Sequence, residues 1–478
     1  MQRLRPSTQM KYLLAVGIYL WSMQVTVAQT TTLIKDLSAF KDPGKSWKMV
    51  GSVTADLNNP NVLNISSGLG ILINLPDKKN HGADLFTRDE YGDIVLELDY
   101  MMAKGSNSGI YFQGRYEVQL MDSWTLKTPT PGSNGGIYER WDDARQEGQK
   151  GYEGYPPRHN ASRAPGLWQH LEISFQAPRF DATGRKTDPA KMLRVELNGV
   201  LIHEEVELSG PTRGGIGPEN SRGPLRFQGD HGAVALRNIK ITQVVQSNSE
   251  KTETNRRNQV YPILVNASDH RIFRSFMDLP GGVRVVHAVS VSSEENAHYT
   301  YDTDTGMIIQ VWRGNFLDAT PMWHSRGDGS SRPLGAVQTF GTPALALAKL
   351  SSTDSPWKAD TTGTGFHPKG YVLDDNGDPQ FHYRIYGSLV KDATQALKSG
   401  EGVSREISIS GPTKGFYVRL AEGASIVNLE KSVYLVEDNS YYLRVDDASG
   451  GQPIIRNANG RKELIVPIAG TLKYTILF

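Results

Sequence analysis

Polar and apolar residues alternate one by one through much of this chain, and runs at helical spacing are nearly absent. In Ile94–Met102 (IVLELDYMM) one face of an extended strand carries Ile94, Leu96, Leu98 and Tyr100, and the other carries Val95, Glu97 and Asp99. Leu193–Ile202 repeats the pattern around Asn198-Gly199, a dipeptide that favours the tight turn of a β-hairpin. The alternation therefore predicts an all-β protein made of antiparallel sheets.

The composition agrees with many turns and excludes several classes of protein. Of the 478 residues, 48 are glycine, 25 are proline and none is cysteine. A chain without cysteine has no disulfide scaffold, cysteine nucleophile, thiolate metal site or covalently attached c-type haem. The 52 basic and 51 acidic residues leave a net charge of 52 − 51 = +1, which argues against a nucleic-acid partner.

The first residues have the features of an export signal. A basic leader precedes the apolar run Tyr12–Trp21, and Thr26-Val27-Ala28 offers small residues at the cleavage positions. We therefore expect residues 1–28 to be a signal peptide and the protein to be periplasmic or secreted. No other run is long and apolar enough to cross a bilayer, so no membrane span is expected after cleavage.

A polar linker divides the rest of the chain into two blocks. Gln246–Gln259 contains no apolar residue, and residues 246–260 are therefore predicted to be a linker. The blocks 29–245 and 261–478 are each long enough to bury a core of their own. The first is predicted to be a jelly-roll β-sandwich, and the second an antiparallel β-sandwich or supersandwich.

The most unusual pattern in the first block is Ile110–Leu120 (IYFQGRYEVQL), which we interpret as one strand. Its apolar face holds Ile110, Phe112, Tyr116, Val118 and Leu120, and its polar face holds Tyr111, Gln113, Arg115, Glu117 and Gln119. Glu97 and Asp99 are expected on a neighbouring strand. Such a set of carboxylates, amides, a cation and a ring suits a sugar, while the alternative is an ordinary solvated face with ion pairs.

Three glycine-rich segments accompany this strand. Gly105–Gly109 forms a tight loop leading into it, and Arg226–Gly232 is a second stretch of polar residues and glycine. Ser133–Pro157 is long and irregular, which is typical of functional loops but also of a plain insertion. Its aromatic residues are expected to supply a stacking rim: Tyr138, Trp141, Tyr152 and Tyr155.

These segments, in their order along the chain, resemble the 3-keto-disaccharide hydrolase family over residues about 35–243. The resemblance rests on Asn107–Phe112, Tyr116–Asp122, Gly136–Tyr138, Trp168, Asn198-Gly199, Gly223–Gln228, His231-Gly232 and Leu236–Ile241. It implies a concanavalin-like jelly roll that acts on glycosides oxidised at the sugar 3-position. The residues expected to bind such a substrate are Asn107, Tyr111, Gln113, Arg115, Gln119, Tyr138 and Gln228.

The family is similar in architecture to laminarinase-type glycosidases, which carry their carboxylates as E-x-D-x-x-E. Here the corresponding positions are Glu117, Gln119 and Asp122, so the middle carboxylate is an amide, and in a regular strand residue 122 points to the other face. A retaining glycosidase needs two carboxyl groups close together, one of them a nucleophile. The pattern of residues 117–122 does not predict such a pair. A 3-keto sugar offers another reaction, because its ketone acidifies the C2 proton. Removal of that proton, elimination at C1 and addition of water give net hydrolysis.

This chemistry needs an acid or base and a partner for the enolate oxygen. Glu117 and His231 are the candidates for acid and base; alternatively, both are ligands of a divalent metal cation. Gln119, Gln228, Arg115 or that cation would hold the oxygen. Two residues also have a structural interpretation in place of a functional one. His231 is then a turn residue, and Asp122 anchors its loop.

The second block gives fewer functional signals. Its strand candidates are Val283–Val291, Met307–Arg313, Phe381–Tyr386, Gly415–Leu420, Val433–Val436 and Tyr441–Val445. Gly306–Pro333 resembles a region of secreted bacterial proteins that carry sugar-dehydrogenase or cytochrome c modules. We interpret the cluster of Trp312, Phe316, Trp323, His324 and Asp328 as a packed aromatic corner. The less favoured alternative is a ligand-binding loop. Asp374–Asp378 is interpreted as a turn, and a calcium-binding loop is the less favoured alternative.

Three functions remain in competition at this point. The leading one is an exported enzyme that cleaves 3-keto-glycosides, with an oligosaccharide or glycoside as its substrate. The second is a non-catalytic carbohydrate-binding sandwich, which the altered carboxylate motif would allow. The third is a partner module of a sugar oxidoreductase that makes the 3-keto group.

Overall fold

The computed structural model describes residues 30–244 and 261–478, apart from residues 270, 325 and 431. The predicted signal peptide (1–28) and linker (246–260) lie outside the described residues. Strands account for nearly all regular structure, and the one α-helix among the described residues is the four-residue α1, Thr320–Trp323. A search of the described helices finds none with the length and apolar character that a bilayer crossing requires.

Residues 30–244 contain seventeen strands, which form the first domain. They are β1 Thr30–Leu33, β2 Phe40–Lys41, β3 Trp47–Ala55, β4 Leu63–Asn74, β5 Leu85–Tyr91, β6 Ile94–Met102, β7 Asn107–Phe112, β8 Tyr116–Met121, β9 Arg140–Trp141, β10 Gly151–Tyr152, β11 Gln169–Gln176, β12 Arg179–Phe180, β13 Lys186–Asp188, β14 Ala190–Leu197, β15 Val200–Leu208, β16 Gly223–Phe227 and β17 Val234–Gln243.

Two antiparallel sheets form the predicted jelly roll. One has the order β15-β14-β11-β6-β17-β4-β3, with β1 added to β17, and the other has the order β2-β5-β16-β7-β8. Their inner faces share one core, in which the rings of Phe112 on β7 and Phe175 on β11 lie 4.9 Å apart. Neighbours in each sheet are often distant in sequence, so the chain crosses repeatedly between the sheets, as it does in a jelly roll.

Two local predictions in this domain are confirmed, and two differ from the structure: β7 already begins at Asn107, within the predicted loop Gly105–Gly109, and a predicted single strand is a hairpin. The strand Ile94–Met102 is β6, and Asn198-Gly199 forms the tight turn between β14 and β15 with φ values of 53° and 77°. The prediction that Ile110–Leu120 is a single strand is wrong, because β7 and β8 are the two arms of a hairpin. Even-numbered residues pair with even-numbered ones across that turn, so the alternation passes through it unbroken.

The described residues of the second domain form eighteen strands and α1. The strands are β18 Leu264–Val265, β19 Ile272–Leu279, β20 Val283–Val291, β21 Ala297–Asp302, β22 Met307–Asp318, β23 Ser330–Thr339, β24 Leu347–Lys349, β25 His367–Leu373, β26 Pro379–Ile385, β27 Ser388–Ala396, β28 Gly402–Ser410, β29 Phe416–Gly423, β30 Ile426–Glu430, β31 Val433–Val436, β32 Tyr441–Ala448, β33 Ile454–Ala458, β34 Arg461–Pro467 and β35 Thr471–Leu477.

These strands form three sheets, almost entirely antiparallel, in agreement with the predicted sandwich class. The first has the order β18-β22-β21-β20-β19-β23, and β23 also pairs with β22, which closes five strands into a ring. The second has the order β24-β29-β34-β33, and the third has the order β25-β26-β27-β28-β35-β32-β31-β30. Apolar residues of all three sheets meet in one core, and a smaller cluster fills the ring.

Two further sequence interpretations agree with the structure of this domain. Trp312 and Phe316 stack with ring centres 5.9 Å apart, as expected for a packed aromatic corner, although Trp323 is 67% exposed. Asp374 Oδ1 accepts hydrogen bonds from the backbone N–H groups of Asn376 and Asp378, as expected for a turn.

The two domains are in direct contact. The Tyr442 hydroxyl donates to the carbonyl oxygen of Pro165 at 2.8 Å, and the Asn439 amide donates to the carbonyl oxygen of Val53 at 2.9 Å. A shared apolar cluster contains Leu167 of the first domain and Tyr442 and Leu477 of the second.

Candidate active site

Glu117 lies on β8, on the face of the five-stranded sheet opposite the core. It pairs directly with Tyr111 on β7 across the hairpin. Its carboxyl group reaches over Gly109, so a Cβ atom added at Gly109 would stand only 3.0 Å from the Glu117 Cδ atom. Glycine at 109 therefore leaves the space that the carboxyl group occupies.

The environment of this carboxyl group is unusual. Glu117 is 1% exposed, and neither of its carboxyl oxygens has a hydrogen-bond partner in the described structure. Burial raises its pKa to about 8, and Asp84 and Asp230 add to the rise, while the nearby Tyr111 hydroxyl and Arg226 guanidinium oppose it. A carboxyl group that titrates near neutral pH suits acid–base catalysis.

Arg226 and Tyr111 form the wall beside Glu117. Arg226 on β16 pairs with Tyr111, and its guanidinium carbon lies 3.5 Å from the centre of the Tyr111 ring. Arg226 Nη1 donates to the carbonyl oxygen of Gly214 at 2.9 Å, and its Nε lies 3.5 Å from the Asp84 carboxylate without a hydrogen bond. Burial raises the pKa of Tyr111, so its hydroxyl stays a proton donor at neutral pH. A cation and a hydroxyl thus face the same space as the carboxyl group.

Two amides complete this surface. Asn107 lies two residues before Gly109 on β7, and the Gln228 backbone N–H donates to the Gly109 carbonyl at 2.9 Å. The side-chain oxygens of Asn107 and Gln228 are buried and have no hydrogen-bond partner among the described residues. Unpaired buried acceptors are costly in a folded protein, so a ligand that donates hydrogen bonds would be favoured here.

The edge of β8 is covered by the start of the long loop. The Gln119 backbone N–H donates to the Gly136 carbonyl, and the Tyr138 backbone N–H donates to the Glu117 carbonyl, at 2.8 and 3.0 Å. Because Ile137 is buried in the core, alternation places the half-buried Tyr138 on the same side as Glu117. Gln119 and Tyr138 therefore lie on the same face as Glu117.

The remaining aromatic residues of the predicted stacking rim already have partners. The Arg213 guanidinium lies 3.8 Å from the centre of a Trp141 ring, and that of Arg145 lies 3.6 Å from the centre of the Tyr152 ring. The Tyr155 hydroxyl donates to the Glu207 carbonyl at 3.3 Å.

Four residues expected near Glu117 are elsewhere. Gln113 and Arg115 lie in the turn between β7 and β8, and their side chains donate to backbone carbonyls, including that of Pro218 at 2.7 Å from Arg115 Nε. Their polar side chains therefore hold the turn against the loop at 218–221. Glu97 and Asp99 lie on β6 in the other sheet, where they pair with Lys240 and with His170.

His231 lies in the exposed loop between β16 and β17, and its Nδ1 atom is 2.5 Å from the Asp230 carboxylate. No described hydrogen bond joins His231 to Glu117. Within the described ranges, no three His, Asp or Glu side chains are grouped so that they could hold a metal ion. Asp122 accepts from the Gly105 backbone N–H at 2.8 Å, which agrees with its interpretation as a loop anchor.

Sequence reasoning missed Arg226 and Asp84 as members of this site. Arg226 lies in a glycine-rich segment, but nothing in the sequence indicates that it pairs with Tyr111, 115 residues earlier. Asp84 lies in none of the motifs that the sequence contains. Its Oδ1 atom accepts from the Gly229 backbone N–H at 3.1 Å, which fixes it at the edge of the same surface.

Comparison with known proteins places this site within one family domain. Residues 33–242 match the family model of the 3-keto-alpha-glucoside-1,2-lyase-like domain, and this match supports a role in cleaving glycosidic bonds. No curated protein sequence matches the chain.

Three similar solved structures each cover less than half of this chain. Two provisionally assigned glycosyl hydrolases of Parabacteroides distasonis ATCC 8503 are 24% and 19% identical, with TM-scores of 0.29 and 0.25. The alignments cover 45% and 42% of this chain and 91% and 100% of theirs. The carbohydrate-binding module CBM66 of Bacillus subtilis is 10% identical, with a TM-score of 0.19 and coverage of 41% of this chain and 94% of that module.

Proposed function

We propose, from the premise that residues 33–242 form a 3-keto-alpha-glucoside-1,2-lyase-like domain, that this domain cleaves the glycosidic bond of 3-keto-glycosides such as 3-keto-disaccharides. The observation that carries the proposal is the buried Glu117 carboxyl group, whose pKa is raised to about 8 beside Arg226 and Tyr111. An acid–base group of this kind is what C2 proton chemistry needs, and it needs no second carboxylate.

In the first step, an ionised Glu117 takes the C2 proton. The electron pair of the C2–H bond forms a C2–C3 double bond, and negative charge develops on the former ketone oxygen. Arg226 and the Tyr111 hydroxyl are the positive and hydrogen-bonding groups on the same face, and they are proposed to stabilise that oxygen.

In the second step, the enolate returns to a ketone as the C1–O bond breaks and a C1–C2 double bond forms. The departing oxygen takes a proton, for which His231 is the proposed donor. In the third step, the hydroxyl group of a water molecule adds at C1 while that water's proton returns to His231, and Glu117 delivers a solvent-exchanged proton to C2, so both residues are restored. The sum of the steps is hydrolysis of the glycosidic bond.

The amide oxygens of Asn107 and Gln228 are proposed to accept hydrogen bonds from sugar hydroxyl groups, with Tyr138 and Gln119 beside them. The same oxygens with Glu117 are also the hard donors that a divalent cation prefers, so a bound cation would polarise the ketone oxygen. In that arrangement Asn107, Gln228 and Glu117 would hold the ion.

The test uses 3-keto-trehalose and the full chain in D₂O. We expect release of glucose and a 3-keto sugar that carries deuterium at C2, because the C2 proton is exchanged during elimination. Glu117→Gln should lower the rate by about 10³-fold, while the exposed Glu147→Gln should leave it unchanged. Chelation with EDTA, followed by Mg²⁺ or Ca²⁺, tests the cation.

Each failure has its own meaning. No glucose release by the wild type, with or without added cation, would overturn the proposed activity. Release of glucose with no deuterium at C2 of the 3-keto sugar would overturn the elimination route, while the proposed cleavage of the glycosidic bond would stand. Tight binding of the unoxidised disaccharide without turnover would favour a carbohydrate-binding module instead.

Export and the source of the keto group are further parts of the proposal. The signal-like residues 1–28 support a periplasmic or secreted location, which cell fractionation would test. The 3-keto group must come from oxidation of a sugar hydroxyl, so a sugar oxidoreductase is proposed to act before this enzyme.

A further inference from the structure

A large cavity in the second domain has no role in the proposed reaction. Its volume is about 500 Å³, within the range of small-molecule sites. It lies between β19 and β20 of the ring and β25 and β26 at the edge of the eight-stranded sheet. None of its lining residues belongs to the first domain, so it is separate from the Glu117 site.

The walls of the cavity are mainly apolar and aromatic. Phe276, Tyr301, Phe381 and Tyr383 line it together with Val286 and Val289. The Tyr301 and Phe381 rings are stacked with centres 3.9 Å apart and planes 9° apart, which gives the cavity a rigid aromatic side. Such walls favour a flat apolar molecule and offer few partners for the many hydroxyl groups of a sugar.

The ionisable side chains that line the cavity, other than tyrosine, are all basic. The described lining includes Arg274, His287 and His382 and no aspartate or glutamate. His287 already contacts Asp304 at 2.9 Å, and His382 contacts Gln380 at 3.1 Å. The Asp328 carboxylate, next to a lining glycine, is engaged by Arg284 at 3.1 Å. Of the three basic side chains, one is therefore left without such a partner.

That side chain is Arg274 on β19. It is exposed, and among the described residues no carboxylate lies within ion-pairing distance of it. Its guanidinium carbon lies 5.4 Å from the centre of the Tyr371 ring, and that ring packs edge-on against Phe381 of the cavity wall with ring centres 5.5 Å apart. An unpaired guanidinium at the edge of an apolar cavity is complementary to a carboxylate.

We infer that this cavity binds a small planar aromatic molecule that carries a carboxylate, with its ring between the aromatic walls and its anionic group against Arg274. The inference is independent of the proposed glycoside cleavage, because no residue is shared between the two sites.

The experiment is isothermal titration of the full chain with 2-naphthoate and with its neutral analogue 2-naphthamide. We expect saturable binding at one site, with the naphthoate about 10-fold tighter than the amide, because only the anion pairs with Arg274. Arg274→Gln should weaken the naphthoate by about 10-fold and leave the amide within about 2-fold. The matched control is Arg332→Gln, an exposed arginine of β23 outside the cavity, which should change neither.

Phe276→Ala removes part of the wall and should weaken both probes by a similar factor. The inference is overturned if the wild type shows no saturable binding, or if naphthoate and naphthamide bind equally well. It is also overturned if Arg332→Gln weakens the naphthoate as much as Arg274→Gln does, since the effect would then come from net charge.

Discussion

The Glu117 carboxyl group stands directly over Gly109, with no room between them for a Cβ atom. Residues 109 and 117 lie diagonally across the β7–β8 hairpin, and the absence of a side chain at 109 lets the carboxyl group fold back over the sheet. The position of the proposed base therefore depends on a residue that has no functional group of its own.

Gly109→Ala should displace the carboxyl group and lower kcat by about 10²-fold, a loss typical of a misplaced catalytic group. The Gly109 backbone is not in the left-handed region, so the added methyl group introduces no backbone strain of its own. The rate on 3-keto-trehalose and the melting temperature are the measurements. Gly92→Ala, between β5 and β6, is the control: its backbone is also outside the left-handed region, and the added Cβ would meet no atom closer than 3.4 Å. An unchanged kcat in Gly109→Ala would contradict the assigned position of the base.

Glu117 should make the protein less stable as pH rises. Its pKa is raised from 4.5 to about 8 in the folded state, so between these values the native protein keeps a proton that the unfolded chain releases. Stability is therefore lost as pH rises through this window and levels off above it, by about 5 kcal/mol at most.

Glu117→Gln cannot titrate, so the difference in free energy of unfolding between wild type and variant isolates this effect. We expect the wild type to lose stability relative to Glu117→Gln from pH 5 to pH 8. Chemical unfolding at four pH values measures it, and Glu147→Gln is the matched exposed control. A constant difference across the range would show that the carboxyl group has an ordinary pKa.

Tyr111→Phe keeps the ring under Arg226 and removes the hydroxyl group. We expect a loss of about 10-fold to 10²-fold in kcat with little change in KM, because the missing hydrogen bond forms to the developing enolate oxygen. Arg226→Lys should lose more, because it also breaks the planar stacking on Tyr111. If both variants instead raise KM alone, these residues bind the ground state and the proposed role is wrong.

His231 can be tested through the leaving group. His231→Ala should slow cleavage of 3-keto-trehalose by about 10²-fold, because an alcohol needs a proton to depart. The same variant should cleave the 4-nitrophenyl 3-keto-glucoside at nearly the wild-type rate, since nitrophenolate leaves without protonation. Equal losses on both substrates would assign the exposed histidine to binding or structure.

The sequence was sufficient for features that depend on near neighbours. The alternation in Ile94–Met102 predicted β6 to the residue, and Asn198-Gly199 predicted its hairpin. Glu117 could be chosen because its face of the strand was unusually polar. The turn at Gln113–Arg115 could not be seen, because the pairing across it preserves the alternation.

Contacts between distant segments account for the rest. Arg226 reaches Tyr111 only because β16 inserts between β5 and β7, and no local pattern encodes that order. Burial of Glu117 likewise depends on segments from several parts of the chain. The raised pKa, which best supports the proposed role, is therefore a property of the assembled sheet.

The cluster shared by Leu167, Tyr442 and Leu477 also has a thermodynamic consequence. Separating the two domains would transfer these side chains to water, and each domain would lose part of its own support. Their unfolding should therefore be coupled, so calorimetry of the whole chain should give one cooperative transition instead of two. The second domain would then raise the heat resistance of the first, whatever ligand it binds.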